Sequence, residues 1–312
     1  MVGSEAIAQR SKRRQTLGQR EGLEFYLFIS PWLVGFVLFV GGPMLATLLL
    51  SFASWDLLTP PSFVGLGNFI KLFTDDPLFW QALKVSATYS FVGIPLHIAL
   101  AFFVAILLNQ DLRAVALIRT LYYMPSVISG VAVAVLWLWI FNPTFGPINL
   151  ILGLVGIKGP LWLASQTWAL PALIIVSLWG VGGQMIIFLA GLQGIPTALY
   201  EAAEIDGANA WHRFWAVTVP MISPVLFFNL VMGVIWSFQA FTNSYVMTNG
   251  GPNYATLMYV LYLYQNGFQY FQMGYASALA WVLFLVILLF TLLIFKSSAA
   301  WVYYEGELRG RR

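Results

Sequence analysis

The stretch "SATYSFVGIPLHIALAFFVAILL", residues 86–108, contains no Asp, Glu, Lys or Arg. It is longer than the roughly 20 apolar residues a helix needs to cross the hydrocarbon core of a bilayer. Gly93 and Pro95 interrupt its middle, which a membrane helix tolerates because neighbouring helices re-satisfy the freed backbone groups. Five more runs share this character, at roughly residues 25–51, 121–141, 169–192, 222–240 and 275–295, each with an uncharged interior. The pattern predicts an all-α membrane protein with six transmembrane helices.

Composition agrees. The 312 residues are 60% hydrophobic and 9% charged, against about 25% charged in a soluble domain, so the solvent for most of this surface is lipid. With no cysteine in the chain, disulfides, thiolate metal sites and thiol nucleophiles are excluded. About twenty mostly polar residues precede the first apolar run. That run far exceeds the roughly 7–15 residues of a signal-peptide core, so it reads as a retained span.

Lys and Arg set the orientation, because cytoplasmic loops are enriched in them. Six spans place both termini on one side. That side collects twelve of the fifteen basic residues, from Arg10, Lys12, Arg13, Arg14 and Arg20 through Arg113, Arg119 and Arg213 to Lys296, Arg309, Arg311 and Arg312. Only Lys71, Lys84 and Lys158 fall on the other side. The expected layout is a multi-pass protein of the cell (inner or plasma) membrane with both termini cytoplasmic. It divides into a basic tail (1–24), a first span with an extracytoplasmic loop (25–80), a transmembrane core (81–296) and a cytoplasmic tail (297–312). The basic tail reads as a topology anchor, not a nucleic-acid arm.

Chemistry is sparse. His97 is the one ionisable side chain well inside a span, and a lone histidine there is expected to hydrogen-bond a neighbouring helix rather than relay protons. No H-E-x-x-H, G-x-S-x-G or P-loop pattern occurs. No catalytic residue, metal site or nucleotide loop is expected, so any energy for uphill movement must arrive from outside the chain. Amides and aromatics in the later spans suit a neutral, hydroxyl-rich solute: Gln184, Asn229, Trp236 and Gln239, with Asn243 and Tyr245 just beyond. Inter-helix hydrogen bonding is the competing role for each.

One charged island interrupts the apolar chain: "LYEAAEIDGANAWHRFWAVTVP", residues 199–220. Orientation puts 194–221 in the cytoplasm. Pro196 suits a helix start, and Gly207 suits a stop that needs positive φ. Asn209 is a plausible cap for a second helix. Pro220 and Pro224 are expected to mark the turn into the fifth span. At 100° per residue Leu199, Ala202, Ala203 and Asp206 group on one face, with Glu201 and Glu204 opposite. Small residues at a glycine turn allow close approach to a partner's groove. The competing reading, a helix lying on the lipid surface, calls for a face rich in Lys and Arg, whereas this island has two Glu and an Asp against one Arg.

This island resembles the E-A-A loop of ABC importer permeases, the membrane subunits of binding-protein-dependent uptake systems. Glu201, Ala202, Ala203, Gly207 and Pro220 stand at matching spacing, with Val217 and Val219 where Ile and Leu are more usual. "FVGLGNF" at 63–69, "LIRTLYYMPSVISGVAVAVLWLWIFNPTFGPINLIL" at 117–152 and "NGGPNYAT" at 249–256 are similar to the carbohydrate-uptake subfamily, the maltose, trehalose and glycerol-3-phosphate type. The resemblance implies a type I ABC importer permease architecture. It implies that Glu201, Ala202, Ala203, Asp206, Gly207 and Pro220 couple to a cytoplasmic ATPase dimer. It further implies a second homologous permease, an extracytoplasmic solute-binding protein and a sugar-type substrate, with ATP and magnesium used by the ATPase and no cofactor in this chain. The alternative is an ion-coupled secondary transporter of a small neutral solute, which ordinarily keeps carboxylates within its spans.

Overall fold

The computed structural model describes residues 21–22, 24–110 and 113–303. The basic tail residues at 10–20 and 309–312 lie outside the described residues. Among the described residues, four helices are long and apolar enough to cross a membrane: α1 (Glu24–Ser51), α3 (Pro77–Leu108), α10 (Ala210–Phe238) and α12 (Met273–Ser298). Two bent pairs complete the six expected spans. One is α4 (Val115–Val127) with α5 (Gly130–Ile140), and the other is α7 (Ala169–Leu178) with α8 (Gly182–Gln193). Between them lie the short helices α2 (Gly67–Thr74), α6 (Pro147–Leu154), α9 (Thr197–Ile205) and α11 (Tyr259–Tyr264), and a two-strand antiparallel ladder of β1 (Ala53–Ser54) with β2 (Ser62–Phe63).

The central helix is α3, which packs on α7, α8 and α10; α12 lies against α10 on one side and α1 on the other. Its buried residues include Ala82, Ala101 and Ala105, small side chains that let helices approach closely where lipid offers no hydrophobic drive for association. Outward-facing side chains such as Phe28, Phe39 and Leu285 are exposed and apolar, as a lipid-facing surface requires.

Three expectations about the spans need correction. The third span is not one straight rod: α4 and α5 meet at 99°. Pro125 deprives the last turn of α4 of a backbone donor. Ile128 and Ser129 are then extended, with ψ 140° and 132°, before the chain re-enters a helix at Gly130. The helix that carries the fifth span does not start after a proline turn near residue 222. It begins at Ala210, capped by the Asn209 side chain, which accepts a 2.9 Å bond from the His212 amide. The helix then runs unbroken through both Pro220 and Pro224. A widened turn over Phe214–Thr218, closed by the Val219 amide on the Phe214 carbonyl, gives the Pro220 ring room inside the helix. Similarly, α3 starts at Pro77, inside the segment expected to be loop.

At the end of the bundle opposite the α9 hairpin, one carboxylate ties three elements together. Asp76 is buried and caps α3, accepting from the amides of Leu78 and Phe79 at 3.0 and 3.2 Å. Its second oxygen accepts from the Tyr262 hydroxyl of α11 at 2.5 Å and from the Tyr275 hydroxyl of α12. Burial, then the neighbouring carboxylate, raises the Tyr262 phenol above its ordinary range and keeps it a donor. Asp76→Ala should therefore destabilise the folded protein by about 2–3 kcal/mol, since it removes a cap and leaves two buried hydroxyls unpaired. Thermal denaturation in detergent would measure this, and an unchanged midpoint would contradict it.

Candidate functional site: charged hairpin and membrane cavity

The charged island folds as a helix, a tight turn and the first turns of α10. The helix α9 ends in a motif built on Gly207, whose φ is +79°. The Ala208 amide bonds the Ala203 carbonyl at 2.9 Å, and the Gly207 amide bonds the Glu204 carbonyl at 3.0 Å. These two bonds satisfy carbonyls that a helix end otherwise leaves unpaired. Nothing lies within 4 Å of where a Gly207 side chain would begin, so the glycine serves backbone conformation, not close packing.

The faces of α9 differ from the expected grouping. All of α9 except Tyr200 and Ala203 is exposed, and Ala198, Glu201, Ala202 and Ile205 make one continuous exposed stripe at i, i+3, i+4 and i+7, with Ile205 87% exposed. Tyr200 and Ala203 turn inward and are partly buried. Of the expected face, Leu199 and Ala202 are exposed and Ala203 is partly buried, while Glu201 and Glu204 are exposed as well. The cause is Tyr200, whose ring packs against the bundle while its hydroxyl meets the Thr218 hydroxyl at 3.0 Å. Asp206 is exposed at the turn, and Pro220 is partly buried within α10.

Residues of α3, α7, α8 and α10 line a half-open cavity of about 170 Å³. Its walls carry Tyr89, Gly93 and His97 at i, i+4 and i+8 of α3, and Gly233, Trp236 and Ser237 of α10. Ser177 and Gln184 flank the 46° bend between α7 and α8 and complete the wall. Two polar atoms there, His97 Nε2 and Gln184 Oε1, are buried with no hydrogen-bond partner among the described residues. The expected hydrogen bond from His97 to a neighbouring helix is thus not seen at Nε2. Leaving such an atom unpaired costs about 1–3 kcal/mol, so this wall is chemically ready for a polar guest. Trp236 adds an aromatic face and the serines add hydroxyls.

Of the six expected path residues, only Gln184 and Trp236 line this cavity. Asn229 is 1% exposed and its amide bonds the Val225 carbonyl one turn back, at 2.9 Å. Gln239 makes the equivalent bond to Ile235, also at 2.9 Å. Asn243 and Tyr245 lie past the end of α10, where Tyr245 stacks on Phe241 with centroids 5.1 Å apart and meets Tyr264 edge-on at 5.5 Å. Tyr89, Ser177 and Ser237 escaped the sequence reading, although the four-residue spacing of Tyr89, Gly93 and His97 marks one face of a helix. Among the described residues no group of His, Asp or Glu is placed to hold a metal.

The family model described as the binding-protein-dependent transport system inner membrane component matches residues 97–302. YesP of Bacillus subtilis (strain 168), a probable ABC transporter permease protein, is 47% identical over 98% of this chain and 99% of its own. LacF of Rhizobium radiobacter, a lactose transport system permease protein, is 35% identical over 91% of this chain and 97% of its own. A chain from the crystal structure of a bacterial ABC transporter involved in import of the acidic polysaccharide alginate shares the fold. Its TM-score is 0.81 at 24% identity, covering 92% of this chain and 98% of that one. The matched segment holds the whole hairpin and most of the cavity wall, and the chain belongs to the inner membrane components of binding-protein-dependent transport systems, the permease subunits of ABC importers.

Proposed function

We propose that this permease forms half of the translocation path for a sugar or related polyol. A second, homologous permease completes the path, and an extracytoplasmic binding protein delivers the solute. A separate cytoplasmic ATPase dimer, using ATP and magnesium, drives the cycle through the α9 hairpin. Both termini face the cytoplasm. The observation that carries this reading is the pairing of a mostly apolar cavity, bearing a few polar groups and an aromatic face, with an exposed hairpin, in a chain with no nucleotide-binding motif of its own. The identity with LacF, a lactose permease by name, supports a saccharide. A neutral solute also fits the cavity wall, which has no Asp, Glu, Lys or Arg.

On this reading Glu201, Ala202, Ala203, Asp206, Gly207 and Pro220 serve the coupling to the ATPase. Glu201 and Ala202, with Ile205 beside them, form the contact stripe. Gly207 and Asp206 shape the turn. Pro220 and the partly buried Ala203 act from behind the contact surface. Gln184 and Trp236 would meet the solute in the cavity, and Tyr245 and Asn243 nearer its entrance.

The complete complex in proteoliposomes tests this. Uptake of a sugar that stabilises the cognate binding protein should require ATP inside and survive an uncoupler. Uptake that persists without ATP and collapses with the uncoupler would refute it.

A further inference from the structure

The way the hairpin is fastened to the bundle carries an inference beyond docking, and it rests on the docking reading above. No residue of α9 is buried, so the helix is not held by an apolar face sunk into the core. Behind it, between the end of α3 and the start of α10, lies a cavity of about 420 Å³ lined by Asn109, Gln110, Tyr200, Arg213 and Thr218 among others. A partner pressing on the exposed stripe would meet two yielding directions. It would move α10, or it would fold α9 into the gap.

Two side-chain ties stand across that gap. Tyr200 hydrogen-bonds Thr218 at 3.0 Å, and Glu204 pairs with Arg213. Both reach from α9 to α10, one helical turn apart, with Tyr200 at the middle of α9 and Glu204 in its last turn. Two separated ties fix an orientation, where a single tie leaves a pivot. From Ala210 to Phe238, ties included, α10 runs unbroken for 29 residues, about 43 Å at 1.5 Å per residue, and it presents Gly233, Trp236 and Ser237 to the membrane cavity. Glu204 also differs from Glu201 in direction: Glu201 stands on the outer stripe, while Glu204 turns sideways to its own chain.

We propose that Glu204–Arg213 and Tyr200–Thr218 brace the coupling helix against α10, so that hairpin and fifth span move as one lever. The four are positioning residues: they touch neither solute nor nucleotide. The pair is open to solvent, at 28% and 59% exposure for Arg213 and Glu204, and such pairs add little to stability. A merely stabilising role therefore predicts almost no effect of breaking it, whereas a brace predicts lost coupling.

The test uses the full complex in proteoliposomes and reads solute moved per ATP hydrolysed, together with ATPase co-purification and the melting temperature. Glu204→Arg and Arg213→Glu are each expected to keep the ATPase bound and the melting temperature unchanged. The solute-to-ATP ratio should fall about tenfold, within the range of ordinary allosteric couplings. The double reversal, which restores an opposite-charge pair, should recover most of the ratio, and Tyr200→Phe should lower it by a smaller factor. Single variants at the parental ratio would overturn the brace. So would a double reversal no better than the worse single, or a loss of ATPase in the singles that the reversal does not restore. Glu201→Lys and Ile205→Asp on the outer stripe test docking separately. If both retain the ATPase, docking fails whatever the charge reversal shows.

Discussion

Replacing Gly207 by valine is expected to abolish solute uptake while leaving the permease inserted and folded. Gly207 sits at φ +79° with open space around it, so the substitution meets no steric neighbour and acts only through the backbone. An L-residue in this region costs roughly 1–2 kcal/mol, and a β-branched one fares worst. The chain relieves that strain by unwinding the turn, which breaks the bonds from the Ala208 and Gly207 amides to the last carbonyls of α9. Asp206 then loses its place in the turn, and Ile205 leaves its place on the proposed contact stripe. The spans are untouched, so membrane content and melting temperature should stay near parental values while uptake falls to the level of a permease-free control. Gly207→Asn is the informative companion, because asparagine visits left-handed backbone readily, and it should retain a large part of the transport. Parental uptake by Gly207→Val would remove the turn from the mechanism.

The same hairpin shows what a sequence displays and what it hides. The six apolar runs were legible because a backbone in lipid must satisfy itself, and only long uncharged helices do so. The stop at Gly207 was legible because few residues accept its φ. Direction and rotation were not. Hydropathy is blind to the angle between consecutive helices, so the 99° turn at Ile128 and Ser129 looked like continuous span. Pro220 and Pro224 looked like breakers, yet the widened turn before Pro220 carries the helix through. The facing of α9 was misjudged because Tyr200 is both apolar and polar, and it uses both properties to turn inward toward Thr218. Asp76 lay outside every span and motif. Its partners Tyr262 and Tyr275 stand almost two hundred positions away, and no local pattern joins residues so far apart. Among the path residues, composition suggested amides and aromatics, but only packing separated the cavity-lining Gln184 and Trp236 from Asn229, whose amide is engaged with its own helix.

Gly182 and Gly183 are neighbours in sequence with opposite expected responses to one added methyl group. A Cβ on Gly182 would sit 2.3 Å from the Tyr122 carbonyl oxygen and 2.7 Å from the Tyr123 Cα. Both are backbone atoms of α4 and cannot swing aside, so α8 and α4 must separate. Parting them disturbs the bend between α7 and α8 and the wall that holds Gln184. Gly182→Ala should cost at or beyond the ~3 kcal/mol upper end of overpacking penalties. Little folded permease should then accumulate in the membrane, and the remainder should not transport. A Cβ on Gly183 meets nothing within 4 Å, and its backbone is ordinary helix near the start of α8. Gly183→Ala should therefore fold at least as well as the parent, gaining up to about 1 kcal/mol from helix propensity. Membrane yield and melting temperature in detergent, measured side by side, decide the matter. Equal behaviour of the two variants would mean that α8 does not approach α4 through Gly182, and that the bend in the fourth span owes nothing to that contact.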